Sequence, residues 1–178
     1  MAHSPSRSGR PPIQQLQTVA DLLDTPALAR LYAHILQHGP VTVSELVDEL
    51  DIPQGTAYDY VQNLETAGLV EKTRDQRPYE YDAESIALTL STDGETQTIT
   101  PALIAAVARR DQDEDIDVYI ERHGLDGLAV ALEYAYEYVD GTVNHRIAGR
   151  ELDLSPLEAE IILQALEPVA TGYADAVA

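Results

Sequence analysis

Residues 41–70 read Val41-Thr-Val-Ser-Glu-Leu-Val-Asp-Glu-Leu-Asp-Ile-Pro-Gln-Gly-Thr-Ala-Tyr-Asp-Tyr-Val-Gln-Asn-Leu-Glu-Thr-Ala-Gly-Leu-Val70, and the punctuation of this stretch decides the fold. Val41-Thr42-Val43 is long enough for a very short strand, and its β-branched residues favour one. Ser44 is the expected cap of a helix whose Leu46, Val47 and Leu50 point inward. Pro53 disfavours a helical residue before it, so Asp51-Ile52-Pro53 forces a turn. A further helix is predicted from Gln54 to Ala67, with Ala57, Val61 and Leu64 as its buried stripe and Gly68 as its terminator.

The flanking elements complete the pattern. Upstream, Thr25 is an N-cap, Pro26 opens a helix, and Gly39-Pro40 closes it. Leu28, Leu31, Tyr32, Ile35 and Leu36 fall on one face of that helix, which marks it as core-facing. Residues 12–23 place Ile13, Leu16, Ala20 and Leu23 at helical spacing, so a short lead-in helix is expected to pack on the body or on a second copy. The first ten or so residues read as a solvated tail. Downstream, Leu69–Arg74 and Tyr79–Asp82 alternate around Asp75-Gln76-Arg77-Pro78 and read as a hairpin.

Residues 85–100 carry a second hairpin signal around Asp93-Gly94, and Pro101 opens a mainly helical tail. Its clearest segments run from Leu125 to Val139 and from the Ser155 cap onward, the last with Leu157, Ile161, Leu163, Ala165 and Leu166 to bury. The expected fold class is mainly α with small β: an N-terminal winged helix-turn-helix plus a C-terminal helical region. The partition is residues 1–23 as tail and lead-in helix, 24–83 as the winged helix, and 84–178 as a hairpin and helical region for dimerisation or effector binding.

Composition bounds the function. The 178 residues are 44% apolar and can bury a core. No apolar run approaches the roughly 18 residues of a membrane span, no signal peptide opens the chain, and a cytoplasmic protein without membrane contact is expected. The absence of cysteine excludes a disulfide framework, a thiolate zinc site and a cysteine nucleophile.

The net charge of −20 comes from 31 acidic against 11 basic residues. Lys72 is the only lysine among the basic residues. Net charge is +1 over residues 1–23, −7 over 24–83 and −14 over 84–178, so the excess acid lies mostly in the second half. Abundant acid with scarce lysine resembles the proteins of extreme halophiles. In molar salt the Debye length falls to about 3 Å, so repulsion from phosphate is screened while carboxylates keep the surface hydrated.

The stretch quoted above resembles the winged-helix transcription regulators of archaea and bacteria, of sugar-regulator and multiple-antibiotic-resistance-regulator type. The resemblance is carried by Leu64-Glu65-Thr66-Ala67-Gly68-Leu69-Val70, the family's ending of the recognition helix, and covers residues 24–83. With the salt-adapted composition it implies a haloarchaeal regulator that binds double-stranded DNA. In such regulators the recognition helix enters the major groove.

The outward face of Gln54–Ala67 would then present Gln54, Gly55, Thr56, Tyr58, Asp59 and Gln62. Gln54 or Gln62 can pair bidentately with adenine, and Thr56 and Tyr58 can reach phosphate or a thymine methyl. Gly55 permits close backbone approach. Asp59 either accepts from a cytosine amino group or serves as a solvated charge or arginine partner. Lys72, Arg74 and Arg77 crowd the hairpin tip, where family wings touch the DNA backbone; the plain alternative is a hairpin kept soluble by charge. Thr42 and Ser44 can donate to phosphate beside a helix N-terminus. Arg30 is placed to approach phosphate or to form a salt bridge.

Other signals are weaker. His34 and His38 have metal-compatible spacing but no third ligand, and a role at the helix end explains them. The Asp111–Asp117 acids lack the glycine and closing Glu of a calcium loop. No phosphate-binding glycine loop or nucleophile elbow is present, so neither an enzyme nor a cofactor is expected. Tyr134 and Tyr138 share a helix flank suited to a dimer seam, an unknown small-molecule effector pocket or plain core packing. Residues 146–160 look like a second helix-turn-helix, but their acidic helix assigns them to packing or self-association. A homodimer is expected. The rival to a regulator is a winged-helix adaptor that joins proteins without reading DNA.

Overall fold

The computed structural model describes residues 12–176, so the expected N-terminal tail lies outside the described residues. The chain divides into two compact units, 1–85 and 86–178. In the first, helices α1 (Pro12–Asp24), α2 (Pro26–His38), α3 (Val43–Leu50) and α4 (Gln54–Ala67) accompany strands β1 (Val41–Thr42), β2 (Val70–Lys72) and β3 (Glu80–Ala83). The strands form an antiparallel sheet in the order β1-β3-β2, with Val41 opposite Tyr81 and Lys72 also opposite Tyr81.

This is a winged helix-turn-helix, and local chemistry accounts for most of its boundaries. Helix α2 opens at Pro26 after Thr25, whose backbone is extended as a cap's should be, although its side chain makes no capping hydrogen bond. The cap of α3 is Thr42 rather than the expected Ser44, and Val43 belongs to the helix. Thr42 Oγ1 accepts from the Glu45 backbone N–H at 3.2 Å, and Glu45 Oε2 accepts from the Thr42 N–H at 2.7 Å. This reciprocal box satisfies two otherwise orphaned donors, which Ser44 has no Glu three residues on to match. Helix α4 ends where Gly68 turns left-handed (φ 77°), a conformation that costs a residue without Cβ little.

The core of this unit is built from Leu22, Leu31, Tyr32, Ile35, Leu46, Leu64 and Leu69, all fully or almost fully buried. Tyr32 donates its hydroxyl to the Glu84 carbonyl at 2.6 Å, tying α2 to the end of β3. Helix α1 buries Thr18, Val19 and Leu22, not the expected stripe: Ile13, Leu16 and Ala20 are exposed and Leu23 is half-buried. Apolar residues populate both sides of α1, and the side facing α2 and α4 is the one that is covered.

The second unit begins with the hairpin of β4 (Leu88–Thr92) and β5 (Glu95–Ile99), closed by Asp93-Gly94 with both residues at positive φ. Hydroxyls pair across it, Thr89 with Thr98 at 3.1 Å and Ser91 with Thr96 at 3.3 Å. Helix α5 (Pro101–Ala108) is apolar all round and buried at every residue. Helices α6 (Glu114–Val139), α7 (His145–Glu151) and α8 (Pro156–Gly172) complete the unit before a short 3-10 turn, η1 (Ala174–Ala176).

Helix α6 is longer than the expected Leu125–Val139 segment and is broken at Gly124, whose φ is 70°. Helix α8 starts at the expected Ser155 cap, where Ser155 and Glu158 form a second capping box. Its buried face, however, is Ala159, Ile162, Leu163, Leu166, Val169 and Ala170. Leu157 and Ile161, expected inside, are 65% and 39% exposed. Residues four apart share a helix face, so Leu157, Ile161 and the half-buried Ala165 form a stripe roughly opposite the core side. No helix among the described residues is long and apolar enough to cross a membrane.

Gly39 shows how tightly the first unit closes. A Cβ there would lie 2.6 Å from the Ile35 carbonyl oxygen and 2.5 Å from Asp82 Oδ1, and the carbonyl is fixed backbone. Gly39→Ala is therefore expected to destabilise the protein by about 1–3 kcal/mol, as overpacking does. Urea unfolding measures this; an unchanged midpoint would mean that α2 and β3 separate freely.

Candidate nucleic-acid interface

Helix α4 is oriented by what it buries. Ala57 and Leu64 have no exposed surface, and Val61 and Ala67 have almost none. With that side pinned, Gln54, Gly55, Tyr58, Asp59 and Gln62 are exposed and Thr56 is half-buried. A Cβ on Gly55 would meet nothing within 4 Å, so internal packing does not demand glycine there. Asp59 has no ion-pair partner among the described residues.

The wing between β2 and β3 carries Lys72, Arg74 and Arg77, all exposed. The Lys72 ammonium lies 4.1 Å from the centre of the Tyr79 ring and the Arg77 guanidinium carbon 5.9 Å from it. Arg74 faces Glu80 instead, with its NH1 3.9 Å from the carboxylate.

A cleft of about 610 Å³ opens between the start of α3, helix α4 and the wing. Thr42, Val43 and Ser44 form one wall, Tyr58 another, and Arg77, Pro78, Tyr79 and Tyr81 the third. Of the residues singled out in the sequence, the fold thus gathers Thr42, Ser44, Tyr58 and Arg77 in one place. Gln54, Gly55, Thr56, Asp59 and Gln62 continue along α4 outside the cleft lining, Lys72 and Arg74 lie on the wing, and Arg30 is half-buried on α2.

Thr42 and Ser44 are not equivalent donors. The Thr42 hydroxyl already lies 3.0 Å from Glu45 Oε2 and serves the capping box. The backbone N–H and hydroxyl of Thr42 hold the Glu45 carboxyl below its usual range, so an anion already sits at the mouth of α3. Ser44 is exposed beside it. Burial, followed by the nearby Glu65, Tyr58 and Tyr79, raises the Tyr81 phenol above its ordinary value and keeps it neutral.

Sequence reading passed over Tyr79 and Tyr81 as site residues. Tyr81 lies on β3 and Tyr79 immediately before it, and a spacing of two in extended chain directly after Arg77-Pro78 is the signal that would have placed both on one side of the wing.

Elsewhere, the His34 and His38 rings have centroids 4.6 Å apart and planes tilted by 44°, and burial first, then His38, pushes His34 below its ordinary value. No group of three or more metal-ligating side chains occurs among the described residues. In the second unit a cavity of about 610 Å³ lies between β5, the start of α5 and the end of α6. Tyr136 lines it, together with Glu133, Glu137 and Asp140, whereas Tyr134 and Tyr138 do not.

Helices α2, α3 and α4 with a two-stranded wing that carries Lys72, Arg74 and Arg77, and with the polar side of α4 open, define the class: a winged helix-turn-helix. Comparison with protein families agrees, since residues 26–87 match the family of the sugar-specific transcriptional regulator TrmB. Residues 110–175 match a family of unknown function, DUF7437. No curated protein and no solved structure matches the chain.

The Glu45 cap makes a pH prediction. Because its folded pKa is depressed, the carboxylate contributes stability that is fully present above the unfolded value, near 4.5, and is lost as pH falls through the lower folded value. Glu45→Gln keeps an amide that can cap but cannot titrate, so its thermal midpoint should fall less steeply than the wild type's below about pH 5. Parallel falls would show that the box carries no pH-dependent stability.

Proposed function

We propose that the chain is a sequence-specific DNA-binding transcription regulator that acts as a homodimer. Two copies of α4 enter successive major grooves and the wings grip the flanking backbone. The observation that carries this reading is the open polar face of α4 beside a wing whose Lys72 and Arg77 project from an otherwise acidic chain. The glutamines at 54 and 62 suit adenine edges, Tyr58 and Thr56 suit backbone or a thymine methyl, and Ser44 suits phosphate. The family match over residues 26–87 supports the same reading.

The acidity, −7 over residues 24–83, is the observation that favours an adaptor that only holds proteins. A salt-adapted cytoplasm removes the objection, because molar salt screens the repulsion while leaving short-range hydrogen bonds to bases. The homodimer is supported by α8, whose apolar stripe of Leu157 and Ile161 faces outward. A helix apolar on both sides has a second face to cover. The cavity lined by Tyr136 offers room for a small effector.

Two measurements check this reading. In gel shifts over a potassium chloride series reaching molar concentration, Arg74→Ala with Arg77→Ala should weaken binding to all duplexes alike and lower the salt slope by about 0.9 for each phosphate no longer neutralised. Gln54→Ala or Gln62→Ala should instead reorder sequence preference, by about 1–3 kcal/mol of discrimination at the affected base pair. Variants indistinguishable from one another and from wild type would refute DNA readout. In sedimentation, Leu157→Glu with Ile161→Glu should convert a dimer to a folded monomer; a dimer that persists would remove α8 from the seam.

A further inference from the structure

The three cations of the wing are held in different ways. Arg74 lies 3.9 Å from the Glu80 carboxylate, so a phosphate approaching it competes with an anion already in place. Lys72 and Arg77 instead gather at one ring, that of Tyr79, at 4.1 and 5.9 Å. An aromatic face attracts a cation through its quadrupole and carries no net charge. The ring therefore restrains both side chains and leaves their full positive charge available.

The placement adds to this. Lys72 ends β2 and Tyr79 immediately precedes β3, so the ring bridges the base of the wing, while Arg77 comes from the loop between the strands. Tyr79 also lines the cleft that holds Ser44 and Tyr58, so Arg77 is kept on the side that α4 presents. Lys72 and Arg77 repel each other, and without the ring two long flexible side chains would splay into solvent. Attraction at ring contact is also less exposed to salt screening than a pair of charges held apart in water.

We infer that Tyr79 is a positioning residue that holds Lys72 and Arg77 as the phosphate-gripping pair of the wing, with Arg74 subordinate. This rests on the DNA-binding reading above.

The test uses the full chain with Tyr79→Leu, which removes the ring but keeps apolar bulk and every charge, and Tyr79→Phe, which keeps the ring. Lys72→Ala and Arg74→Ala calibrate the loss of one cation. Duplex affinity is measured against potassium chloride concentration for each, with circular dichroism melting to establish folding. Tyr79→Leu is expected to lose at least as much as Lys72→Ala, with the salt slope reduced by about 0.9 for each cation disengaged. Tyr79→Phe should remain within about twofold of wild type, and Arg74→Ala should lose less than Lys72→Ala.

A second readout needs no DNA. Ring-current shifts should move the Lys72 side-chain methylene protons upfield in wild type and Tyr79→Phe, and this displacement should vanish in Tyr79→Leu. A folded Tyr79→Leu with the wild-type slope, or with unshifted Lys72 protons already in wild type, overturns the role given to Tyr79. Wild-type protein with the ring-current shift but no salt-dependent duplex binding overturns the DNA reading instead, and the gripping role falls with it.

Discussion

The packing of one side of α4 is the constraint on which the rest of the site depends. Ala57, Val61, Leu64 and Ala67 return to the same face of the helix at intervals of three and four residues, and all four are buried. A rotation of one residue, about 100°, would carry Tyr58 and Gln62 inward and leave Leu64 in water. It would also exchange good apolar burial for polar groups without partners, a cost of several kcal/mol. The outward set from Gln54 to Gln62 therefore follows from the inward one. Two of the four buried positions are alanine, which lets α4 lie close against its neighbours, and the Asp51–Pro53 turn fixes where it begins.

Electrostatics then decides what that open face meets. A chain of −20 that places three of its eleven basic residues within six positions has concentrated charge where the wing can use it. The arrangement around Tyr79 keeps two of these cations together without neutralising them. The Glu45 carboxylate works in the opposite direction: it completes the cap of α3 and so occupies donors that an outside anion would need. Stability of the helix start and anion binding are in competition at Thr42, and the fold resolves it in favour of the cap. Ser44, two residues further on, is exposed and stands outside the capping box.

The first unit was largely legible in the sequence because its signals are local and strong. Thr25-Pro26, Gly39-Pro40, Pro53 and Gly68 each act on the backbone within a residue or two of themselves, and the bounds of α4 came out at Gln54 and Ala67 as expected. The cap of α3 was misplaced because Thr42 and Ser44 are both competent; the Glu three residues after Thr42 was the signal that separates them. Tyr79 was missed for a different reason. Its role comes from Lys72 across a hairpin and Arg77 on a loop, and one-dimensional spacing does not report distances between strands.

The sequence by itself determined where helices and turns begin and end, and which side of α4 is polar, because caps, prolines, glycines and i to i+4 repetition act over a single turn of chain. Only the tertiary structure decided which of two apolar sides a helix buries. In α1 and α8 both sides carry apolar residues, so Val19 and Leu22 went inside while Ile13 and Leu16 stayed out, and Ile162 and Leu166 went inside while Leu157 and Ile161 stayed out. Burial is settled by the partner surface that happens to lie opposite, and that surface is assembled from residues far away along the chain.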